Sequence, residues 1–341
     1  MSTIRNKITA AEYNALTESV NELFGDTHIA NGPTADLQAQ SDLRWGWGGE
    51  NVNLIVKGNK ISASHTNEIV NRINASTLRT NSTDQELVII TPGDKITAEF
   101  FNTAATLLNS ARTIRNEVDP GLTTISNIET FVYSTPWNHL LENVVQLDFG
   151  GYNSARHFFN AGGDIRIAYS ITNGDTGQGY NDWRGIFQAM GTLKFNVENC
   201  KSLITGSNSG ITQDKGFSEL TNIEDLLYTS PLGGGNSYGG YGGYGGYGGY
   251  GGYGGYGGYG GYGGYGSYAS SRLKLYGNIN NGNLSFRTVL DHSGTGSTVT
   301  GTISMSIIMS HPSTVTENTV TLEIPIPTAL QSTVWHPISP T

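Results

Sequence analysis

A strictly periodic tract constrains this chain most. From Tyr238 to Tyr265 it repeats Tyr-Gly-Gly nine times and ends on a tenth tyrosine. Side chains of a β-strand alternate between two faces, so a residue at every third position would change face at each repeat. A helix of the polyproline II type has three residues per turn and would align every tyrosine along one edge. Glycine-rich chains also form flexible loops. The sequence therefore leaves two structures open, an ordered polyglycine or polyproline II-type helix and a flexible loop.

In the ordered form, the tyrosines make an extended packing or contact surface. The candidates are Tyr238, Tyr241, Tyr244, Tyr247, Tyr250, Tyr253, Tyr256, Tyr259, Tyr262 and Tyr265. Residues 233–266 hold 22 of the 47 glycines, and glycine content elsewhere is ordinary. The tract is therefore a low-complexity insert in a globular chain.

The N-terminal third carries the pattern Lys-Ile-Ser/Thr-Ala-x-x-x-Asn three times. The copies begin at Lys7, Lys60 and Lys95. The hydroxyl residue of each copy is predicted to be a helix N-cap: Thr9, Ser62 and Thr97. Glu12 completes a capping box with the first of these. Apolar residues at helical spacing follow each start, so we predict three amphipathic helices. Internal duplication and the demands of capping both account for the repetition.

Two tryptophans, Trp45 and Trp47, lie between the first two helix starts. If they are exposed, they favour a docking contact, because tryptophan is enriched in interfaces. The alternative is that they cap the small core of the predicted helices.

From about residue 144, apolar and polar residues alternate with the period of a half-buried strand. The runs are 145–149, 164–171, 191–197, 272–276, 283–290, 298–307 and 319–325. Turn residues such as Asn281-Gly282 separate them and favour an antiparallel sandwich or barrel. We interpret 156–159 as an aromatic strand, which a hairpin loop at 160–163 joins to the run that begins at Asp164.

These patterns predict a multi-domain α+β chain. Short N-terminal helical modules precede an antiparallel β-sandwich-like domain that contains the insert. The predicted divisions are the helical region 1–120, the first part of the β domain 121–232, the Gly/Tyr insert 233–268 and the second part of the β domain 269–341.

Composition argues against several functions. The net charge of −9, from 19 basic and 28 acidic residues, opposes nucleic-acid binding. The single Cys200 excludes an internal disulfide and a cysteine-based zinc site. No apolar run is long enough to insert into a membrane. The seven histidines show no metal-ligand spacing, and Asp148, Asp164, Asp175 and Asp182 match no known ligand set. We predict no metal, no cofactor and no enzymatic activity.

Two segments resemble known proteins. Residues 5–16, which include the first helix start, look like the opening of virion structural proteins of large tailed phages, notably myoviruses of marine cyanobacteria. Residues 157–166 are similar to a segment in the β domains of the same proteins. The resemblance implies a non-enzymatic component of the tail, neck or fibres, made in the host cytoplasm and built into the virion. Glycine-rich three-fold helices of phage fibre-tip adhesins resemble the tract in kind.

The predicted function is therefore that of a virion structural protein. It would form a homo-oligomer, such as a trimer, through its helical region and β domain, and bind other virion proteins. One alternative is a host-binding adhesin whose tract tyrosines stack on surface glycans. A second is a glycan-degrading enzyme, for which the sequence offers only scattered carboxylates.

Overall fold

The computed structural model describes residues 8–26, 45–83, 85–117, 120–204, 210–212, 215–230, 271–292, 297–331 and 335–338. The insert 233–268, with its ten tract tyrosines, lies outside the described residues. Both predicted structures of the tract therefore stay predictions.

The chain has an α+β fold with antiparallel sheets, as the two apolar periods predict. The helices are α1 Ala10–Leu23, α2 Ala63–Thr80, α3 Ala98–Thr113, α4 Tyr152–Asn160 and α5 Gln178–Met190. The strands are β1 Thr123–Tyr133, β2 Leu140–Asp148, β3 Asp164–Thr172, β4 Thr192–Phe195, β5 Cys200–Ser202, β6 Ile211–Thr212, β7 Asp225–Thr229, β8 Arg272–Asn280, β9 Asn283–Asp291, β10 Thr302–Pro312, β11 Val315–Glu317, β12 Val320–Leu322, β13 Thr328–Gln331 and β14 His336–Ile338.

The three predicted N-caps are confirmed. The side chains of Thr9, Ser62 and Thr97 each accept a hydrogen bond from the backbone N–H three residues later. The Glu12 carboxylate accepts a hydrogen bond from the backbone N–H of Thr9, and the ring nitrogen of His65 accepts one from the backbone N–H of Ser62. Each helix start therefore satisfies backbone donors that its first turn would leave unpaired.

Helices α1 to α3 pack around one hydrophobic cluster, which also holds Trp47. The β11–β12 hairpin contributes Val315 and Leu322 to this cluster, and both side chains are buried. Asn318, at the tip of the hairpin, donates a hydrogen bond to Asn71 of α2 over 3.0 Å. The helical core is thus completed by residues that lie outside 1–120.

Two extended segments cross the helices, and we call them straps. The first strap is 52–55 and lies along α1; the second is 87–90 and lies along α2. Neither strap is part of a sheet. Helix asparagines bind them instead, each side-chain amide donating to a strap C=O and each side-chain oxygen accepting from the N–H of the same residue. The pairs are Asn14 with Ile55, Asn21 with Val52, Asn67 with Ile90 and Asn74 with Leu87, at 2.7–3.0 Å.

The strands form two main sheets with shared core residues. One sheet has the order β1-β10-β3-β4-β5 and the other β13-β2-β9-β8-β7-β6. Tyr169 of the first donates to or accepts from Thr288 of the second over 2.7 Å, and the rings of Phe195 and Phe286 lie 5.2 Å apart. The sheets therefore face each other as in a sandwich.

The turn prediction at Asn281-Gly282 is confirmed. Both residues have positive φ, at 50° and 86°, and they join β8 to β9 with Asn280 opposite Asn283. This is the backbone conformation that two-residue hairpins of type I′ need. The described strands on either side of the insert, β7 and β8, pair with each other, and Ser230 donates its N–H to the carbonyl of Leu273 over 2.9 Å.

The predicted aromatic strand at 156–159 is wrong, because these residues belong to α4. Two adjacent phenylalanines, Phe158 and Phe159, are both fully buried, which a strand with one buried face would not allow. Gly162 and Gly163 end the helix rather than form a hairpin loop. Gly162 has φ of 88°, and Gly163 donates back to the carbonyl of Phe158 over 2.9 Å.

Helix α5 was not predicted from the sequence. Its buried residues recur at helical spacing, and they are Gly179, Asp182, Trp183, Ile186, Phe187 and Met190. Polar residues and glycines occur among them and interrupt the apolar pattern. Trp183 and Phe187 pack into the core between the two sheets.

We predict that Asn74→Leu lowers the free energy of unfolding by about 2–4 kcal/mol, because it leaves a buried N–H and C=O of Leu87 unpaired. Asn102→Leu is the matched control, since Asn102 is exposed on α3. That control should change stability by no more than about 0.5 kcal/mol. Urea unfolding of both variants measures the difference. Equal losses would contradict a strap held by its asparagine.

Candidate functional site

We call the two main sheets, together with α4 and α5, the β body. The helical core of α1 to α3 meets the β body at a polar junction, which comprises Asp26, Trp45, Arg156 and His157. The buried Arg156 of α4 pairs with Asp26 at 2.6 Å, and its guanidinium carbon lies 3.8 Å from the centre of the Trp45 ring. His157 reaches the same carboxylate oxygen at 3.1 Å. A carboxylate and an aromatic face therefore hold one cation, which is a favourable environment for arginine.

Burial lowers the pKa of His157, and its hydrogen bond to Asp26 acts in the opposite direction. A side chain at position 48 would collide with the imidazole, because a Cβ built on Gly48 lies 2.1 Å from its Nδ1. Gly48 also has φ of 79°, in the left-handed region. The junction is thus closely packed, and we interpret it as a structural contact between the helical core and the β body.

The two tryptophans have different surroundings. Trp47 is 1% exposed and lies in the helical core, with the guanidinium carbon of Arg79 5.0 Å from its ring centre. Its indole N–H donates to the carbonyl of Arg115 over 3.2 Å. Trp45 is half-buried beneath Arg156. Trp47 therefore belongs to the helical core, which is the alternative that the sequence analysis gave to a docking contact. Trp45 lies at the junction.

A cleft of about 600 Å³ opens beside the junction, between the end of α3 and the first sheet. Its charged centre is Asp164, which is nearly buried and pairs with Arg166 at 2.7 Å and Lys194 at 3.4 Å. Arg166 also donates to Ser310 over 3.0 Å. The cluster has one anion and two cations in contact, so it carries one excess positive charge. Glu117 and Glu198 also line the cleft.

The other aspartates have separate local roles. Asp148 accepts from the N–H of Gly150, and Asp175 from the N–H of Gly177, so both stabilise turns. Asp182 accepts from Gln178 over 2.7 Å, and burial raises its pKa. The four aspartates therefore serve different contacts.

Cys200 is a buried free thiol, as the sequence indicates. Burial raises its pKa to about 12, so the nucleophilic thiolate is disfavoured. In the part of the chain that the structure describes, no three His, Cys, Asp or Glu side chains converge as a metal site would require.

A membrane span requires a long apolar helix, and none of the described helices meets that requirement.

The exposed face of β1 was not identified from the sequence. β1 is eleven residues long and lies at the edge of its sheet, paired on one side with β10. Ile125 and Val132 on this strand are 59% and 54% exposed. A signal existed in the apolar residues of 123–133, but polar and apolar residues occur on both faces of the strand, so the run lacks a clear buried face.

No protein family, no curated protein and no solved structure matches this chain.

We predict that stability falls in acid because of His292, which is buried and bonded to Ser271 at 2.8 Å. Burial lowers its pKa to about 4, against the opposite effects of a hydrogen bond with Ser297 and of the charge of Asp291, while His139 lowers it further. The fold therefore favours neutral imidazole, and the stabilisation is complete above pH about 6.5 and lost towards pH 4.

Between pH 7 and 4.5, the loss attributable to this group is about 2–3 kcal/mol. His292→Gln should lose that much less than the wild type over this range in urea titrations. His336→Gln, at an exposed histidine, is the control and should follow the wild type. Parallel pH profiles for all three proteins would show that His292 does not cause the acid sensitivity.

Proposed function

We propose that this chain is a non-enzymatic structural subunit of a phage particle, in its tail, neck or fibres. The resemblance of residues 5–16 and 157–166 to virion structural proteins supports the phage assignment. In this proposal the helical region and the β body are two units, and the Tyr-Gly-Gly insert adds contact surface between subunits. The subunit associates with copies of itself and with other virion proteins.

The observation that carries the proposal of self-association is the edge of β1. No other described strand pairs with the second side of β1, so a row of backbone donors and acceptors is available there. An eleven-residue edge strand with exposed Ile125 and Val132 is a template for strand addition. The β-bulge between Asn127 and Glu129 limits regular pairing to the two ends of the strand.

The low charge of β1 affects how well its edge is protected against strand addition. Glu129 is the only charged residue of β1. Soluble monomers commonly protect an edge with charged residues or proline, and β1 has little of that protection. Association of a second copy would cover both exposed apolar side chains, and the hydrophobic gain scales with the apolar area removed from water.

We predict that the double variant Ile125→Lys/Val132→Lys dissociates the oligomer, with a dissociation constant at least tenfold higher than that of the wild type. In the interface, the introduced lysine cations would be buried against each other or against apolar surface. Burial of an unpaired charge costs free energy and so weakens association. Sedimentation velocity over a range of concentrations measures the change.

The matched control is Ile223→Lys/Ile326→Lys, which adds the same charge at exposed apolar positions outside β1. It should associate like the wild type. A wild-type chain that stays monomeric at high concentration, or a control that dissociates equally, would overturn the proposal.

A further inference from the structure

The third helix repeats the asparagine pair of the first two. Asn14 and Asn21 lie seven and fourteen residues after Lys7, and Asn67 and Asn74 have the same offsets from Lys60. Asn102 and Asn109 have these offsets from Lys95. Each pair is thus seven residues apart on a helix that begins with the same capping pattern, and the third pair lies on α3.

The spacing determines what such a pair binds. Seven residues of α-helix rise about 10.5 Å. Three residues of extended chain span about 10 Å. On α1 and α2, the paired strap residues are accordingly three apart, and the strap runs antiparallel to the helix. The bound residues are all apolar: Val52, Ile55, Leu87 and Ile90.

Among the described residues, no strap lies along the same pair on α3. Asn102 and Asn109 are exposed, and within the described residues no hydrogen bond reaches either side-chain amide. The first two helices are each followed by a returning strap, but after α3 only residues 118 and 119 separate the described Glu117 from the turn that leads into β1. The chain that follows α3 therefore continues into the sheet.

We infer that the Asn102–Asn109 face of α3 is a docking site for an extended segment of a different polypeptide, with apolar residues three positions apart. The occupied pairs on α1 and α2 define this chemistry directly. Ala105, which lies between the two asparagines along the helix, is half-buried and has a small apolar side chain. The face continues an established series of contacts, because each strap lies on one helix and leads into the next.

A second copy of this chain does not fit as well. Its straps at 52–55 and 87–90 are each held by four hydrogen bonds to its own helices. To occupy α3 of another copy, a strap would first have to break those bonds and expose Val52 or Leu87, which are buried. The docking site therefore favours a partner whose extended segment is not already bound.

The probe for a direct test is a labelled peptide with the sequence of residues 85–92, Gln-Glu-Leu-Val-Ile-Ile-Thr-Pro, added to the full chain. Fluorescence anisotropy should show saturable one-to-one binding. Asn102→Leu/Asn109→Leu should weaken it at least tenfold, while Asn222→Leu/Asn280→Leu, at exposed asparagines of the β body, should leave it unchanged. Unfolding curves should show that both variants remain folded.

A second comparison separates backbone recognition from apolar adhesion. Methylation of the peptide nitrogens at Leu87 and Ile90 removes the two N–H donors that the asparagines bind, and should also weaken binding at least tenfold. Methylation at Val88, whose N–H no asparagine of α2 binds, is the control and should have little effect.

Three results would overturn the inference. If the peptide fails to bind the full chain, the site is not open to another polypeptide, as when a segment of the same chain covers it. If Asn102→Leu/Asn109→Leu leaves peptide affinity unchanged, the peptide has exchanged with a strap on α1 or α2. If that variant instead dissociates an oligomer of the wild-type chain, the occupant is a second copy.

Discussion

The helical half of this protein depends on how two extended segments are buried outside any sheet. A buried backbone N–H or C=O without a partner costs free energy comparable to a lost hydrogen bond. The straps at 52–55 and 87–90 have no neighbouring strand, so side-chain amides replace one. Asparagine suits this role because its amide carries a donor and an acceptor at the same end, which together match the N–H and C=O of a single residue.

This pairing also positions the helices that follow. Ile55 and Ile90 each lie five residues before the lysine of the next helix start. The asparagines of α1 fix the first strap, and the N-cap Ser62 follows Ile55 of that strap by only seven residues. The position of the strap therefore determines where α2 begins. The same relation holds between α2 and α3. The bundle is therefore built in series, and each helix depends on the one before it for its starting point.

The β body adds a long-range dependence to this local series. The β11–β12 hairpin, more than 200 residues after α2, buries Val315 and Leu322 in the helical core. The contact of Arg156 with Asp26 and Trp45 is a second connection between the helical core and the β body. We therefore expect the helices to reach full stability only when the sheets are formed, since their own cluster is small for independent folding.

The sequence predicts the parts of this structure that rest on local chemistry. The N-caps Thr9, Ser62 and Thr97 were predicted because a cap and its acceptor are only three residues apart. Strands β2, β3, β8, β9 and β10 were predicted because alternation directly reflects a sheet with one buried face, whereas the long edge strand β1 was not. At α4, Phe158 and Phe159 are adjacent, and such a short aromatic run suits a strand or a buried helix equally until the packing on both sides is known. The eighth residue of the repeated pattern is an asparagine in all three copies, but on α1 and α2 its partner lies on the strap that follows the helix, so its function is visible only in the fold.

The two proposed contact surfaces of this chain would use the same kind of recognition. The edge of β1 offers backbone groups to another strand, and α3 offers side-chain amides with the geometry of a backbone. Each thus selects an extended partner through neutral hydrogen bonds and apolar side chains, and neither needs an opposite charge. That agrees with a chain in which only 14% of residues are charged. Because neutral hydrogen bonds are little screened by salt, association through either surface should persist at ionic strengths that weaken contacts between charged surfaces.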